Sequence, residues 1–485
     1  MKIVLVSSEV VPFSKTGGLA DVAGALPKAL VKEGHEVYVF TPRYKSIDKK
    51  KFGLKSEIKR VRLKMPTGTK EYNILSAKLP DSEVPIYFID KELYFGRTEL
   101  YQEKGKDYPD NAERFHYFCL AALESLKVLD IQPDVIHCND WQTAIIPLYL
   151  KLVFNKDPFF NKISTIYTIH NLAYHGLFDP KILASLGMNK KWFTPEKLEF
   201  WNKVNFSKGG LLFADIISTV SNKYSKEIQT KEFGCGLEGV LSSRAKDTYG
   251  IINGLDYAVW SPEKDRKIPK RYSIDSLHHK DENRKKLMEI SGLEYKENTP
   301  IISIISRLAD QKGFDLLAES MDELLKKDIK FVILGTGDQK YHELFDKLEK
   351  KYPDKFKAHL KFDAKLAQLI YAGSDIFLMP SLYEPCGLGQ LISLKYGTVP
   401  VVRATGGLAD TITDINKDSA KGNGFTFKEY KSKELLAAIN RSLDIFSNNK
   451  EKWQKIQING MSADYSWSVS AKKYTELYET AKSKS

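Results

Sequence analysis

Short apolar runs alternate with longer amphipathic segments along the whole chain. In the first half, runs of strand length occur at 3–6, 36–41, 85–90, 134–137, 162–169 and 214–220. Between the first two runs, apolar residues recur with a helical period from Leu19 to Val31. Parallel strands need long crossover connections and are buried on both faces, so this alternation predicts an α/β domain with a parallel sheet wrapped by helices.

The second half repeats the pattern. Strand-length runs occur at 300–305, 330–334, 375–380 and 399–403, with helical periods such as 316–327 and 433–446 between them. A chain of 485 residues exceeds what one hydrophobic core usually serves, which predicts two such domains. The charged segment 260–293 lacks strand alternation and is interpreted as an excursion near the joint. We therefore predict one domain at 1–248, a second at 249–457 and a C-terminal helical region at 458–485.

Composition restricts the class of protein further. Lysine and arginine exceed aspartate and glutamate by 74 to 62, but the lysines are scattered, which favours solubility and weak steering of anions over a nucleic-acid partner. Neither a signal peptide nor an apolar segment of membrane-spanning length is recognisable, and no membrane partner is expected. The cysteines lack the spacing of a zinc or redox motif: Cys119, Cys138, Cys235 and Cys386. A reduced, cytoplasmic protein without a bound metal is expected.

A glycine turn follows the first strand and opens the first helix. The turn reads SKTGGLADV at 14–22, and a related TGGLAD string recurs at 405–410 in the corresponding context of the second half. Adjacent glycines permit positive φ and close approach of a ligand, the start of a helix presents free amides, and Lys15 adds a cation. The spacing fits neither the dinucleotide fingerprint nor the P-loop. These features predict an anion or sugar site.

Polar residues follow several other predicted strands. Asp140 and His170 come soon after apolar runs in the first half, and Arg307 and Glu384 follow such runs in the second. Ligands of open α/β sheets bind at the carboxyl ends of the strands, where these residues are expected to lie. Arg307 and the nearby Lys312 can clamp a diphosphate.

These motifs resemble those of bacterial glycogen synthases and plant starch synthases. The resemblance begins with the segment 7–30 and extends over essentially the whole chain. It is carried by the strings DYPDNAERF at 107–115, NDW at 139–141, TIHN at 168–171, EFG at 232–234, ING at 252–254, SRL at 306–308, QKG at 311–313, EPCGL at 384–388 and TGGLADT at 405–411.

The resemblance implies a GT-B fold, in which two doubly wound Rossmann-like domains face a deep cleft and the last helix crosses back onto the first domain. It implies transfer of glucose from ADP-glucose to the non-reducing end of an α-1,4-glucan, with retention of configuration and without metal or pyridoxal phosphate. The partners would be the nucleotide sugar and the glucan. The implied catalytic residues are Glu384, Arg307, Lys312, Asp140 and His170.

The same resemblance assigns binding roles to further residues. Asp21 would contact the acceptor, and Lys15, Gly17 and Gly18 the distal phosphate. The donor-binding set also includes Asn253, Phe362, Cys386, Gly387, Leu388, Thr405, Gly406 and Gly407.

Some positions depart from the family pattern. Gln142 replaces a frequent histidine, His175 a frequent glutamine, and Leu382 a common arginine that precedes the catalytic glutamate. Lys365, Arg403 or Lys395 could supply the missing charge. Phe362 replaces a tyrosine thought to stack on the nucleobase, which keeps the ring and loses the hydroxyl.

The sequence leaves several other functions open. The nearest is a UDP-glucose-dependent or sucrose-forming glucosyltransferase of the same fold, and the next is a non-catalytic glucan-binding protein. A dinucleotide oxidoreductase is disfavoured by the missing glycine fingerprint, and a phosphorylase would require a Schiff-base lysine. The sequence does not specify the oligomeric state.

Overall fold

A computed structural model describes residues 1–65 and 68–484 of the chain. The described residues divide into two compact units, the first made of Met1–Gly254 with the C-terminal segment from Trp467, and the second of Leu255–Ser466. Each unit has a central β-sheet and its own hydrophobic core.

In the first unit, the described residues form a nine-stranded sheet and two small antiparallel sheets. The strands are β1 Lys2–Val6, β2 Glu36–Pro42, β3 Lys55–Met65, β4 Gly68–Lys78, β5 Pro85–Asp90, β6 Gln102–Glu103, β7 Lys106–Asp107, β8 Val135–Asn139, β9 Ser164–Ile169, β10 Leu177–Phe178, β11 Glu199–Phe200, β12 Lys203–Asn205, β13 Ile216–Thr219 and β14 Thr248–Gly250.

The large sheet has the strand order β14-β13-β9-β8-β1-β2-β5-β4-β3. Strands from β14 to β5 are parallel, as predicted, and their central members are fully buried. One edge of the sheet is not parallel, because β4 pairs antiparallel with both β5 and β3. This edge is mostly exposed along β3, so it lacks the continuous apolar run of a buried strand.

The second unit is a regular parallel sheet of six strands. Its strands are β15 Ile301–Ile305, β16 Lys330–Leu334, β17 Phe356–His359, β18 Ile376–Met379, β19 Val399–Arg403 and β20 Phe425–Phe427. Their order is β17-β16-β15-β18-β19-β20, so the order reverses between β15 and β18. Such a reversal is where open parallel sheets bind ligands.

Helices connect the strands in both units. The helices of the first unit are α1 Gly18–Lys32, α2 Glu92–Phe95, α3 Asn111–Val128, α4 Ile145–Leu152, α5 Ile182–Ser185, α6 Phe206–Phe213, α7 Asn222–Glu227 and α8 Glu238–Ser243. Those of the second unit are α9 Lys280–Ser291, α10 Phe314–Leu324, α11 Gln339–Lys351, α12 Ala364–Gly373, α13 Gly389–Lys395, α14 Gly406–Thr411, α15 Ser432–Asn448 and α16 Lys450–Ser462. Short 3-10 helices occupy Lys190–Trp192, Ala245–Asp247, Ile274–His279 and Asp310–Lys312.

The last helix, α17 Trp467–Lys482, returns to the first unit. Its Tyr478 hydroxyl lies 2.9 Å from His137 Nδ1 on β8, and Lys482 forms an ion pair with Asp134. The predicted boundaries at 248/249 and 457/458 differ from the observed ones at 254/255 and 466/467. Both predicted cuts fall inside regular elements, β14 and α16, whose hydrogen bonds hold them together.

Candidate active site

The glycine turn of the first unit leads from β1 into α1, which begins at Gly18. Lys15 Nζ lies 2.8 Å from both carboxylate oxygens of Asp21 in the first turn of the helix. A Cβ added at Gly17 or Gly18 would meet no heavy atom within 4 Å, so the turn is open to a ligand. Neither glycine uses the positive φ that its residue type permits, because Gly17 is extended with φ −146° and Gly18 is helical.

Glu9 organises this turn and was not found from the sequence. Its carboxylate accepts hydrogen bonds from the Thr16 amide, from Thr16 Oγ1 at 2.5 Å and from the Gly17 amide at 3.2 Å. The Tyr101 hydroxyl donates to Glu9 Oε1 at 2.7 Å, and Glu9 is buried. Two amides of the turn are therefore already bound, contrary to the prediction that they are free. An acid near a glycine turn is too common a pattern to reveal this contact.

Asp140 and His170 are brought together at the ends of β8 and β9. The His170 amide donates to Asp140 Oδ1 at 2.7 Å, and His170 Nε2 lies 2.9 Å from Oδ1 of Asn139. Asp140 adopts a left-handed backbone with φ +55°, an uncommon conformation outside glycine that is enriched at functional sites. The sequence correctly placed both residues at strand ends, but it did not reveal their mutual contact or the role of Asn139.

Burial shifts the protonation of both groups. It raises the pKa of Asp140 to about 7, although the amides of His170 and Asn171 act in the opposite direction. Burial also lowers the pKa of His170 to about 3. His170 is therefore a neutral imidazole near pH 7, while Asp140 exchanges its proton in that range.

Asn253 follows β14 near the end of the continuous part of the first unit. Its side chain is buried, and Oδ1 has no hydrogen-bond partner among the residues that the structure describes. A buried acceptor without a partner is costly unless a ligand or water satisfies it. A sugar hydroxyl has the chemistry to do so.

In the second unit, Lys312 and Glu384 form a buried ion pair. Lys312 Nζ lies 2.6 Å from Glu384 Oε2, and the Ser381 hydroxyl donates to the same oxygen at 3.0 Å. Gly313, with φ +75°, makes the approach possible, because a Cβ there would lie 2.1 Å from the Pro380 carbonyl oxygen. The sequence placed both residues in the site but did not predict that they pair.

Arg307 is exposed after β15 and makes no ion pair with any described residue. The backbone on either side of Arg307 packs against a Gly-Thr-Gly segment at 335–337, which was not found from the sequence. The Leu308 amide donates to the Thr336 carbonyl at 3.0 Å, and a Cβ at Gly335 would lie 2.1 Å from the Ser306 carbonyl oxygen. The GTG string directly after the 330–334 strand was the available signal. Arg307 thus projects from a rigid backbone with its charge available to an anion.

The second glycine turn, Thr405 to Gly407, packs against the backbone that carries Glu384. The Gly407 amide donates to the Glu384 carbonyl at 3.1 Å. Gly406 has φ +45°, and a Cβ there would lie 2.0 Å from the same carbonyl oxygen. The glycines at this turn therefore permit close approach of two protein segments.

The segment after Glu384 is held by Gln390, another residue that sequence reasoning missed. Gln390 Nε2 donates to the carbonyls of Cys386 at 3.0 Å and Gly387 at 2.9 Å. Gly387 has φ +73°, and Leu388 precedes α13. The EPCGL string thus forms a fixed loop whose shape depends on one buried amide side chain.

Two departures from the family pattern have structural explanations. Phe362 is 88% exposed between β17 and α12, so its ring is accessible for stacking. Arg403 Nε donates to the Ser381 carbonyl at 2.8 Å, and its guanidinium also reaches the Leu382 carbonyl. Lys395 instead lies over the Tyr257 ring. Among the three cations considered, Arg403 is the one that supports the loop bearing Leu382.

Residues 1–65 and 68–484 contain no group of three or more histidine, cysteine, aspartate or glutamate side chains arranged to hold a metal ion. No helix in the described part of the chain is long and apolar enough to cross a membrane.

Comparison with known proteins identifies the two units. A family model for the starch synthase catalytic domain matches residues 2–243, and one for glycosyl transferases group 1 matches residues 286–459. The structure superposes on the catalytic domain of starch synthase IV from Arabidopsis thaliana bound to ADP and acarbose, with a TM-score of 0.91, 33% identity and 99% of each chain covered. Sucrose-phosphate synthase from Thermosynechococcus elongatus shares the fold, with a TM-score of 0.60, 17% identity and 99% and 98% of the two chains covered.

Full-length relatives agree. The glycogen synthase of Thermotoga petrophila is 48% identical over 490 residues, which cover 100% of this chain and 99% of that protein. The glycogen synthase of Moorella thermoacetica is 47% identical over 482 residues, covering 99% and 97%. The chain therefore belongs to the glycogen and starch synthase family of GT-B glycosyltransferases, and its function is that of a glycogen or starch synthase.

Proposed function

We propose that this glycogen synthase uses ADP-glucose and transfers its glucose to the 4-hydroxyl at the non-reducing end of an α-1,4-glucan, with retention of configuration. The observation that carries the proposal is the buried Glu384 carboxylate, held by Lys312 Nζ at 2.6 Å and Ser381 Oγ at 3.0 Å. The ADP bound to the related starch synthase IV supports the choice of base.

Arg307 and Lys312 are proposed to stabilise the departing diphosphate directly, next to the Gly406–Gly407 turn, whose Gly407 amide is bound to the Glu384 carbonyl. Breaking the bond between sugar and phosphate places negative charge on the leaving group, and preorganised cations and amides stabilise that charge without a metal. Charge-assisted hydrogen bonds of this kind contribute about 1.5–3 kcal/mol each. Neither a metal ion nor pyridoxal phosphate is required.

Glu384 is proposed to bind donor hydroxyls and to oppose the positive charge that develops at the anomeric carbon. Its second oxygen, Oε1, is left for this role because Lys312 and Ser381 both contact Oε2. Cys386, Gly387 and Leu388 would bind the donor through the fixed loop that follows, and Phe362 would stack on the adenine.

Residues of the first unit are proposed to complete donor and acceptor binding. Asp140, His170 and Asn253 would contact the reacting sugar. Asn253 offers an unpaired buried acceptor, while the His170 amide is already bound by Asp140. The distal phosphate would be bound by Lys15, Gly17 and Gly18, and the acceptor would be contacted by Asp21. For this, Lys15 would leave its ion pair with Asp21 and bind the phosphate instead.

The proposed mechanism is a front-face substitution. The bond from the anomeric carbon to the departing phosphate breaks, the acceptor oxygen bonds to the same face, and a phosphate oxygen takes the hydroxyl proton. Glu384 pairs with a cation, and the raised pKa of Asp140, about 7, leaves this carboxyl only partly ionised near pH 7, so neither is an obvious nucleophile. A covalent glucosyl adduct on either residue, trapped with a slow substrate and located by mass spectrometry, would refute this mechanism.

A UDP-glucose-dependent synthase is the second candidate, favoured only by the missing tyrosine hydroxyl at Phe362. We expect a cytoplasmic enzyme that acts on nucleotide sugar and glucan, with no nucleic-acid or membrane partner.

The deciding experiment measures incorporation of labelled glucose into glycogen from ADP-glucose and UDP-glucose in parallel. We expect activity with ADP-glucose that is lost in Glu384→Gln and kept in Glu343→Gln, an exposed glutamate on α11. Preference for UDP-glucose would overturn the donor assignment. Full activity of Glu384→Gln would overturn the site.

A further inference from the structure

The second unit contains a cavity that the proposed reaction does not use. It has a volume of about 600 Å³ and lies where the 267–269 loop, α9 and the first turns of α12 meet the loop after β17. None of its described lining residues belongs to the segments 306–313, 381–388 or 405–407, although Lys361 and Asp363 flank Phe362, which is proposed to stack on the adenine. The cavity thus borders the proposed adenine site at this loop and shares no lining residue with it, and its lining indicates the ligand it would accept.

The charged lining is strongly cationic. Lys267, Lys286, Lys361 and Lys365 surround the cavity, against the single carboxylate of Asp363. Asp363 is already bound to Lys361 at 2.9 Å, and Lys286 contacts Glu289 at 2.7 Å. Lys267 and Lys365 form no ion pair with any residue in the described ranges. Two uncompensated ammonium groups thus face one concave space, which favours an anionic ligand.

His359 adds a neutral polar group to the same wall. Its Nε2 lies 3.3 Å from the Ser291 hydroxyl at the end of α9. Burial, followed by the charges of Lys357 and Lys361, lowers the pKa of His359. The imidazole is therefore neutral near pH 7, and the lysines provide the charge that an anion would meet.

The rest of the lining is apolar. Ile268, Leu366 and Leu369 are buried with one face on the cavity, and Ile290 on α9 is 47% exposed beside them. Small-molecule sites usually have volumes of about 300–1,000 Å³ and combine an apolar surface with a few placed polar groups. This cavity has both properties.

We propose that the cavity is a second ligand site, which binds a small phosphomonoester whose body is an apolar ring. The phosphate would lie between Lys267 and Lys365, where lysines act as point charges, and the ring would cover Ile290 and the buried leucines. The ligand would also contact the 361–363 loop that carries Phe362. The site does not depend on the identity of the sugar donor.

Phenyl phosphate is a suitable probe because it has both required parts. Isothermal titration calorimetry on the full chain should give saturable binding of one equivalent, at least fivefold tighter than inorganic phosphate or phenol. Equal affinity for phenyl phosphate and inorganic phosphate, or no saturation, would overturn the proposal.

Variants locate the probe. The double variant Lys267→Ala/Lys365→Ala should weaken binding at least tenfold, and Ile290→Glu should do the same by adding an anion at an exposed position. Lys285→Ala is the matched control. Lys285 lies on α9, the helix that carries Ile290, but it pairs with Asp281 at 2.8 Å and does not line the cavity. Binding that survives the double variant but is lost in Arg307→Ala would place the probe in the proposed donor site and overturn the proposal.

Discussion

Lys312 Nζ and Glu384 Oε2 lie 2.6 Å apart, with side-chain exposures of only 17% and 9%. The two residues are 72 positions apart in sequence and come together because Gly313 packs directly on Pro380. The cation proposed to stabilise the leaving group is thus also the counter-ion of the proposed catalytic carboxylate. Removing Lys312 should therefore affect both catalysis and stability.

We expect Lys312→Met to lower kcat by about 10²–10³, the usual effect of losing one preorganised donor. It should also lower the free energy of unfolding by about 3 kcal/mol, because it leaves a buried carboxylate without its cation. Steady-state kinetics and urea unfolding measure the two effects. The control is Lys351→Met, whose pair with Asp322 has the similar distance of 2.7 Å but is more than half exposed, and which should leave the free energy of unfolding close to that of the wild type. Wild-type stability of Lys312→Met would contradict this account.

Much of the fold could be predicted because buried parallel strands have a distinctive pattern. The runs at 330–334 and 399–403 coincide with β16 and β19 to the residue. The long strand β3 was missed because charged residues fill its exposed positions and no apolar run remains. The domain boundaries were displaced because no sequence signal marks where contacts change from one unit to the other.

The positions of several candidate residues in the fold could be predicted from the sequence, but their contacts could not. Strand ends are recognisable, so Asp140, Arg307 and Glu384 could be located from the sequence. Which side chain satisfies a given backbone group depends on tertiary packing, and this hid the roles of Glu9 and Gln390.

Glu9 is expected to position the first glycine turn. Glu9→Gln keeps the side-chain volume, but the amide nitrogen of glutamine cannot accept a hydrogen bond as a carboxylate oxygen does. The hydrogen bonds from the Thr16 and Gly17 amides, which share one carboxylate oxygen of Glu9, are therefore lost. Weakening a charge-assisted bond by about 1.5 kcal/mol corresponds to roughly tenfold, so we expect the donor KM to rise by about tenfold.

Tyr101→Phe is the matched comparison for Glu9. It removes one hydrogen bond to Glu9 and leaves the bonds from Thr16 and Gly17 in place. The donor KM should then remain close to that of the wild type. A similar rise in both variants would mean that burial of Glu9, and not its hold on the turn, determines donor binding.

Asp140 should make stability depend on pH in a defined window. Its folded pKa of about 7 lies above the ordinary value of 3.8, so between these values the folded protein holds the proton more tightly than the unfolded chain. This contribution to stability is complete below pH 4 and is lost as the pH rises to 7.

Asp140→Asn removes the titration and keeps an oxygen that can accept from the His170 amide. The difference in unfolding free energy between wild type and this variant should therefore fall steadily from pH 4 to pH 7 and become constant above that range. Urea unfolding at several pH values measures it, and other titrating groups cancel in the difference. A difference that does not change between pH 5 and pH 7 would refute the raised pKa.

Gly406 should tolerate no side chain, because its φ is +45° and an added Cβ would lie 2.0 Å from the Glu384 carbonyl oxygen. Gly406→Ala must move either the second glycine turn or the Glu384 backbone, and both are proposed to contact the donor. We expect kcat/KM to fall at least tenfold and the free energy of unfolding to fall by about 1–3 kcal/mol from backbone strain. Gly239→Ala provides the control, since a Cβ there would meet nothing within 4 Å and lies in α8, where alanine is favoured. If both alanine variants kept wild-type kinetics, the close packing of the second glycine turn on the Glu384 backbone would not be needed to position the carboxylate.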